Sequence, residues 1–143
     1  MKYYIINTDT KTIGRSPHPE WVDKGFAFTE GKILYGNKLK KLNIGDILFA
    51  YASKIGIVAV GEVSESWDGN THHNITDVYP NPNANIYKIK VKWSQIILKP
   101  ISSIEINNIG GSVVPQTLYK ISENVGNALL SLQRVKSSME RND

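Results

Sequence analysis

Asn43-Ile44-Gly45-Asp46-Ile47-Leu48-Phe49-Ala50-Tyr51-Ala52-Ser53, followed by Lys54-Ile55-Gly56-Ile57-Val58-Ala59-Val60-Gly61-Glu62-Val63-Ser64, is the stretch from which the fold can be read. Its two runs of β-branched, aromatic and small apolar residues, Ile47–Ala52 and Ile57–Ser64, are predicted strands. Ser53-Lys54-Ile55-Gly56 between them has the length and the glycine of a hairpin connection.

Upstream, Lys2–Asn7 is aromatic and β-branched and reads as a strand. After a loop at Thr8–Gly14, Ser16-Pro17-His18-Pro19-Glu20 has the prolines and the early acid of a helix start, and Gly25 can end that helix. Phe26 and Phe28 flank Ala27 with strand-like spacing. Gly36–Leu42 is expected to form a short helix, closed by a turn at Asn43–Asp46.

Downstream, Trp67–Asn85 is long and polar, with Asp68-Gly69 and Pro80-Asn81-Pro82-Asn83, and a loop of this length in a compact domain is often functional. Ile86–Trp93 then alternates, Tyr87, Ile89, Val91 and Trp93 on one side and Lys88, Lys90 and Lys92 on the other. Ile104–Ile106 reads as a further strand. Ser122 caps a helix with the apolar stripe Val125, Ala128, Leu129, Leu132 and Val135, and the polar end over residues 136–143 is expected to fray. With no repeat and no interior linker, residues 1–143 read as one α+β domain: a small, partly open β-barrel of about five to six strands flanked by short helices.

Composition narrows the function. The 143 residues contain no cysteine, which rules out a disulfide framework and a thiolate zinc site. Met1 leads directly into the first strand and no apolar run approaches ~20 residues, so a cytoplasmic protein with no membrane partner is expected. The net charge of +4 permits nucleic-acid binding without requiring it. His72-His73 is the one histidine pair, and neighbouring side chains in an extended loop point apart, so no metal site is expected. No G-x-S-x-G elbow, phosphate-binding loop or H-E-x-x-H segment is present, and neither catalysis nor a cofactor is expected.

Lys88, Lys90 and Lys92 can track a polyanion, but lysines also protect solvated strand edges, and that reading is favoured. Trp67 lies just past a strand end among Ser, Asp, Gly and Asn, either tucked over the core or lining a site. Trp21, on a short helix, is more often core than cage, and Trp93 sits on the apolar side of its strand.

In order, these segments resemble the EVE family and, more distantly, the YTH and McrB amino-terminal modified-base readers of the PUA-like superfamily. Tyr3-Tyr4-Ile5-Ile6-Asn7-Thr8 is similar to the family's aromatic-led opening strand, and Gly45-Asp46 through Ser53 to its "GD-hydrophobic-F-Y-x-S" strand. Gly56–Val63 is similar to its "GIVGIGEV" partner, and Gln116–Ile121 with the terminal helix to its closing element. The resemblance implies a PUA-like barrel whose aromatic pocket takes a flipped, often methylated base of DNA or RNA. By position it puts Phe28 where these families carry a pocket tryptophan, just before Thr29, and Trp67 where an aromatic follows the hairpin. Tyr51 and Ser53 match the end of the pocket strand, and Asp9 and Thr10 the loop that supplies polar contacts.

The resulting expectation is a modified base held between Phe28 and Trp67, with Trp21 as a further candidate wall. Tyr51, Ser53, Thr29, Asp9 and Thr10 orient it, while Lys54, Lys88, Lys90 and Lys92 hold neighbouring phosphates. Relatives of this type serve as target-recognition parts of modification-dependent restriction systems or as RNA readers. A nuclease or NTPase would come from a partner or a longer parent protein. The rival is a small-molecule or protein-interaction module on the same barrel.

Overall fold

The computed structural model of the chain describes residues 1–8, 18–30, 37–67, 86–114 and 116–141. They include strands β1 (Tyr3–Asn7), β2 (Phe26–Glu30), β3 (Ile47–Ala52), β4 (Gly56–Val63), β5 (Ile86–Ile101) and β6 (Leu118–Ile121). The helices include α1 (His18–Lys24), α2 (Ser103–Asn108) and α3 (Glu123–Arg141). Of the short helix expected over Gly36–Leu42, the described part is a helical turn at residues 37–39 followed by a turn at 40–41. The strands form one sheet in the order β2-β5-β4-β3-β1-β6. Neighbours run antiparallel except β1 and β3, whose parallel pairing demands a long crossover. Residues 8–46 supply it and carry α1 and β2 to the far edge of the sheet.

β5 curls the sheet into a half-barrel. Ile86–Lys90 pairs with β2, whereas Val91–Ile101 pairs with β4, so successive parts of one strand serve two antiparallel neighbours. The register against β4 slips twice between Ile57 and Gly61, and bulges of this kind bend a strand and increase its twist. The same slips explain why the strand extends past Trp93, where the predicted alternation ends. A bulge changes which residues share a face, and the period of two is lost.

The predicted hairpin is present, with Lys54 at φ 66° in its turn. On β3, Leu48, Ala50 and Ala52 enter one hydrophobic cluster, while Phe49 and Tyr51 enter the other. β1 divides in the same way, Tyr4 and Ile6 against Tyr3 and Ile5. The sheet is therefore buried on both faces. Trp21 of α1 with Leu39 and Leu42 covers the first face; Ile106 of α2 and Val125 and Leu129 of α3 cover the second.

Asp46 explains the Gly-Asp at the head of β3. Its carboxylate is buried and accepts the N–H of Lys2 at 2.9 Å and that of Asn43 at 2.8 Å, joining the start of β1 to the turn before β3.

Ile104–Ile106 is a helix, contrary to the strand reading. Ser102-Ser103-Ile104-Glu105 is a capping box: the Ser102 hydroxyl accepts from the Glu105 N–H at 3.2 Å, and Glu105 Oε1 accepts from the Ser102 N–H at 3.1 Å. Two satisfied N-terminal donors outweigh the β propensity of the isoleucines, and Ile104 itself stands exposed.

α3 is capped by Ser122 as expected, its hydroxyl accepting from the Val125 N–H at 3.2 Å. The apolar stripe is shorter than predicted, because Val135 is exposed. The helix continues to Arg141. Gly126 sets its approach to the sheet, since a Cβ there would land in the Tyr3 ring, whose hydroxyl donates to Asn127 Oδ1 at 2.9 Å. Gly126→Ala should gain roughly 1 kcal/mol in helix propensity yet lose about 1–3 kcal/mol to overpacking. The expected net is a destabilisation of about 1 kcal/mol, measured as a lower urea midpoint with an unchanged m-value; a higher midpoint would mean that α3 can shift off Tyr3 at no cost.

Candidate base-binding site and flanking lysines

The aromatic side chains of α1, β2 and β5 form a continuous cluster at the β2 edge. Trp21 has no exposed surface, meets Phe28 edge-on at 5.4 Å between centroids and stacks on Trp93 at 6.1 Å. Phe28, 2% exposed, lies 5.7 Å from Phe26. The Trp93 Nε1–H is satisfied by the Phe26 carbonyl at 3.0 Å. Gly61 makes room for this arrangement, since a Cβ there would sit 2.6 Å from Val91 and 2.7 Å from the Trp93 ring.

Trp67, the last described residue after β4, is half-buried and packs against the same hydrophobic cluster. It meets Tyr87 edge-on at 6.3 Å, and Tyr87 is the cross-strand partner of Thr29. Thr29 thus stands beside Phe28 in sequence and opposite the tyrosine that Trp67 touches. The Lys40 ammonium lies 5.6 Å above the Trp67 ring.

Three polar atoms in this cluster are buried without a hydrogen-bond partner among the described residues: Trp21 Nε1, Thr29 Oγ1 and Trp67 Nε1. Leaving a buried donor or acceptor unpaired costs roughly 1–3 kcal/mol, so a polar group that reaches any of them is stabilised there. Thr29 Oγ1 and Trp67 Nε1 both adjoin Tyr87, whereas Trp21 Nε1 belongs to the Phe28–Trp93 side.

Of the residues expected at the site, Trp21 and Phe28 pack together in the core with almost no exposed surface, so Phe28 is not the open wall expected opposite Trp67. Thr29 and Trp67 each adjoin Tyr87, and alternation along β2 turns Thr29 to the face opposite Phe28. Tyr51 does not join them. Its ring belongs to the second hydrophobic cluster, on the opposite face of β3 from Leu48 and Ala50, because alternation along the strand turns it away. Ser53 and Lys54 are exposed in the turn at the end of the β3–β4 hairpin opposite Trp67. Asp9 and Thr10 lie outside the described residues, as do His72 and His73. Among the described residues no group of three His, Cys, Asp or Glu side chains could hold a metal.

The lysine stripe is divided. Lys88 places its ammonium 5.2 Å above the Phe26 ring, Lys90 pairs with Glu65 at 3.3 Å, and Lys92 is exposed. Sequence reasoning missed Tyr87 and Lys40 as neighbours of Trp67. Tyr87 was visible as an aromatic on the buried side of an alternating strand, whereas nothing local marks Lys40.

Solved structures share this architecture. The YTH domain of Mmi1 in complex with RNA aligns with a TM-score of 0.66 over 98% of this chain and 85% of that one, at 12% identity. A protein of Pseudomonas syringae aligns at 0.58 over 92% and 99%, with 16% identity. A point variant of an ASCH protein of Zymomonas mobilis aligns at 0.58 over 92% and 99%, with 11% identity. At these identities the likeness concerns the fold, which is PUA-like. No curated protein sequence matches the chain. A model of the secretion system C-terminal sorting domain matches residues 77–137, less than half of the chain. That segment contains β5, which pairs with β2 and β4 outside it, so here it is part of the sheet and not an appended tail. Among the described residues no helix is long and apolar enough to cross a membrane.

Proposed function

We propose that the chain is a nucleic-acid reader that receives one flipped, methylated base against Trp67, with Thr29 and Tyr87 beside it, and performs no chemistry on that base. The observation that carries this reading is the pair of buried polar atoms Thr29 Oγ1 and Trp67 Nε1, both next to Tyr87 and without a hydrogen-bond partner among the described residues. Indole N–H groups donate only, a hydroxyl does both, and a base edge presents complementary acceptors and donors. The flat ring of Trp67 supplies a stacking wall, and a base that takes its place there displaces the Lys40 ammonium toward the adjoining phosphate. Among the described residues the cluster holds aromatic, aliphatic and hydroxyl groups and no carboxylate, imidazole or thiol, a lining suited to binding. The PUA-like fold and the RNA bound by the Mmi1 YTH domain support a nucleic-acid partner. In a modification-dependent restriction system such a module would recognise the target, and cleavage would belong to another domain or chain.

Thr29→Val tests this reading because its effects on fold and ligand oppose each other. Valine is nearly isosteric and removes the unpaired hydroxyl, so the fold should gain about 1 kcal/mol in a urea titration. Loss of one hydrogen bond to the base should weaken binding by about two- to tenfold, equivalent to 0.5–1.5 kcal/mol. Binding is read by fluorescence anisotropy on paired RNA and DNA oligonucleotides that differ only in base methylation. A methyl group buried in the site contributes roughly 0.8 kcal/mol, about a fourfold preference in the parent protein. Equal binding of both members of every pair removes the modified-base reading.

A further inference from the structure

A second feature lies on the other side of the helical turn that carries Lys40. A cavity of about 550 Å³ is lined by Lys2, Tyr4, Lys38, Lys41, Gln116, Leu118, Tyr119 and Lys120. Its size falls within the roughly 300–1,000 Å³ of ligand sites. Two walls deliver the cations. Lys2 and Tyr4 are two residues apart on one face of the chain at β1, and Tyr4 stands directly opposite Lys120 on β6. Lys38 and Lys41 come from the segment 37–42, whose turns are held by bonds from Lys40 N–H to Asn37, from Lys41 N–H to Lys38 and from Leu42 N–H to Leu39. Leu39 and Leu42 anchor that segment in the core.

Charge is concentrated here. Among the described residues no carboxylate lines the cavity and none pairs with the four ammonium groups. Asp46, the nearby buried acid, spends its oxygens on the backbone N–H groups of Lys2 and Asn43. Burial, and then Asp46, raises the Tyr4 pKa, so the groove floor presents a neutral phenol and not an anion. Four lysines stand together in a chain whose whole net charge is +4. The segment 37–42 also connects the groove to the aromatic site, with Lys38 and Lys41 lining the groove and Lys40 over Trp67.

We propose that the groove between residues 37–42 and the β1–β6 edge binds the phosphodiester backbone of a nucleic-acid strand, through Lys2, Lys38, Lys41 and Lys120. Partnership with nucleic acid rests on the function proposed above, but the groove reads phosphate and is independent of base modification. Lysine ammoniums in such a track contact phosphates without sequence preference and release counterions as they do so. The stripe on β5 is the weaker candidate, since Lys90 is paired and Lys88 covers Phe26.

The test compares two variants of equal charge, Lys2→Gln/Lys38→Gln/Lys41→Gln/Lys120→Gln and Lys54→Gln/Lys88→Gln/Lys90→Gln/Lys92→Gln. Binding to labelled single-stranded RNA and DNA, each with and without base methylation, is followed by anisotropy from about 0.05 to 0.5 M salt, the range over which counterion release is read. Each lost contact on a single strand should lower the slope of log K against log salt by about 0.7, so loss of all four should lower it by about 2.8 and weaken binding by roughly several hundredfold at about 0.1 M salt. Its preference for the methylated strand should persist, and the stripe variant should keep most of the parental slope. An unchanged slope in the groove variant, equal losses in both variants, or no binding of either polymer by the parent overturns the proposal. Tighter binding of a polyglutamate of matched charge than of the oligonucleotide also overturns it, in favour of an acidic protein. Should the parent show no methyl preference while the groove variant still flattens the slope, the base reading falls and the groove stands.

Discussion

Trp21→Ala should cost the fold about 3–5 kcal/mol, the range for deleting a fully buried tryptophan. Against a typical domain stability of about 5–15 kcal/mol this is a large fraction. The reason is specific to α1. Seven residues are too few for a helix that stands alone, so docking of α1 depends on its buried anchor. Trp21 is that anchor, and it touches both neighbouring strands through Phe28 and Trp93. Its loss opens a cavity between α1 and the β2–β5 pair at the edge where the sheet curls. The expected readout is a melting temperature lower by roughly 10–20 °C, followed by near-ultraviolet circular dichroism. A change below about 1 kcal/mol, the scale of an ordinary surface substitution, would mean that α1 is not held by this side chain.

The same residue shows what the sequence could and could not convey. Helix α1 is legible in its prolines, Glu20 and the terminating Gly25, and the core role of Trp21 follows from its place on a short helix. Its contact with Phe28 and Trp93 is not legible, since no local pattern pairs residues joined only by the curl of β5. That curl was hidden because register slips erase the alternation beyond Trp93. The hairpin was legible for the opposite reason, as both strands are short and apolar with only Ser53, Lys54 and Ile55 between them. Its alternation already places Tyr51 on the face opposite Leu48 and Ala50, which removes Tyr51 from the pocket without a structure. The capping box at Ser102–Glu105 was equally available, and isoleucine content obscured it. The lysines followed the same rule. Lys88, Lys90 and Lys92 are conspicuous because they alternate along one strand, whereas Lys2, Lys38, Lys41 and Lys120 converge only after folding.

Trp67→Ala is expected to separate binding from stability, in contrast to Trp21→Ala. The Trp67 ring is half-buried, so its removal takes away an edge contact with Tyr87 and the Lys40 ammonium above the ring, and little core volume. An exposed cation–π contact contributes about 0.5–1 kcal/mol, and the urea midpoint should fall by no more than about that plus the lost packing. Binding should fall further. Loss of one base-stacking wall costs about 1–3 kcal/mol, or roughly five- to 150-fold in affinity. Because the wall stacks on the base and not on phosphate, the salt slope of the variant should match the parent. Trp67→Phe keeps a stacking face but removes the unpartnered Nε1–H, so it should recover most of the affinity and lose part of the methyl preference. Parental affinity in Trp67→Ala, or unfolding of that variant, would assign Trp67 to the core and leave the Thr29 hydroxyl without a base to satisfy it.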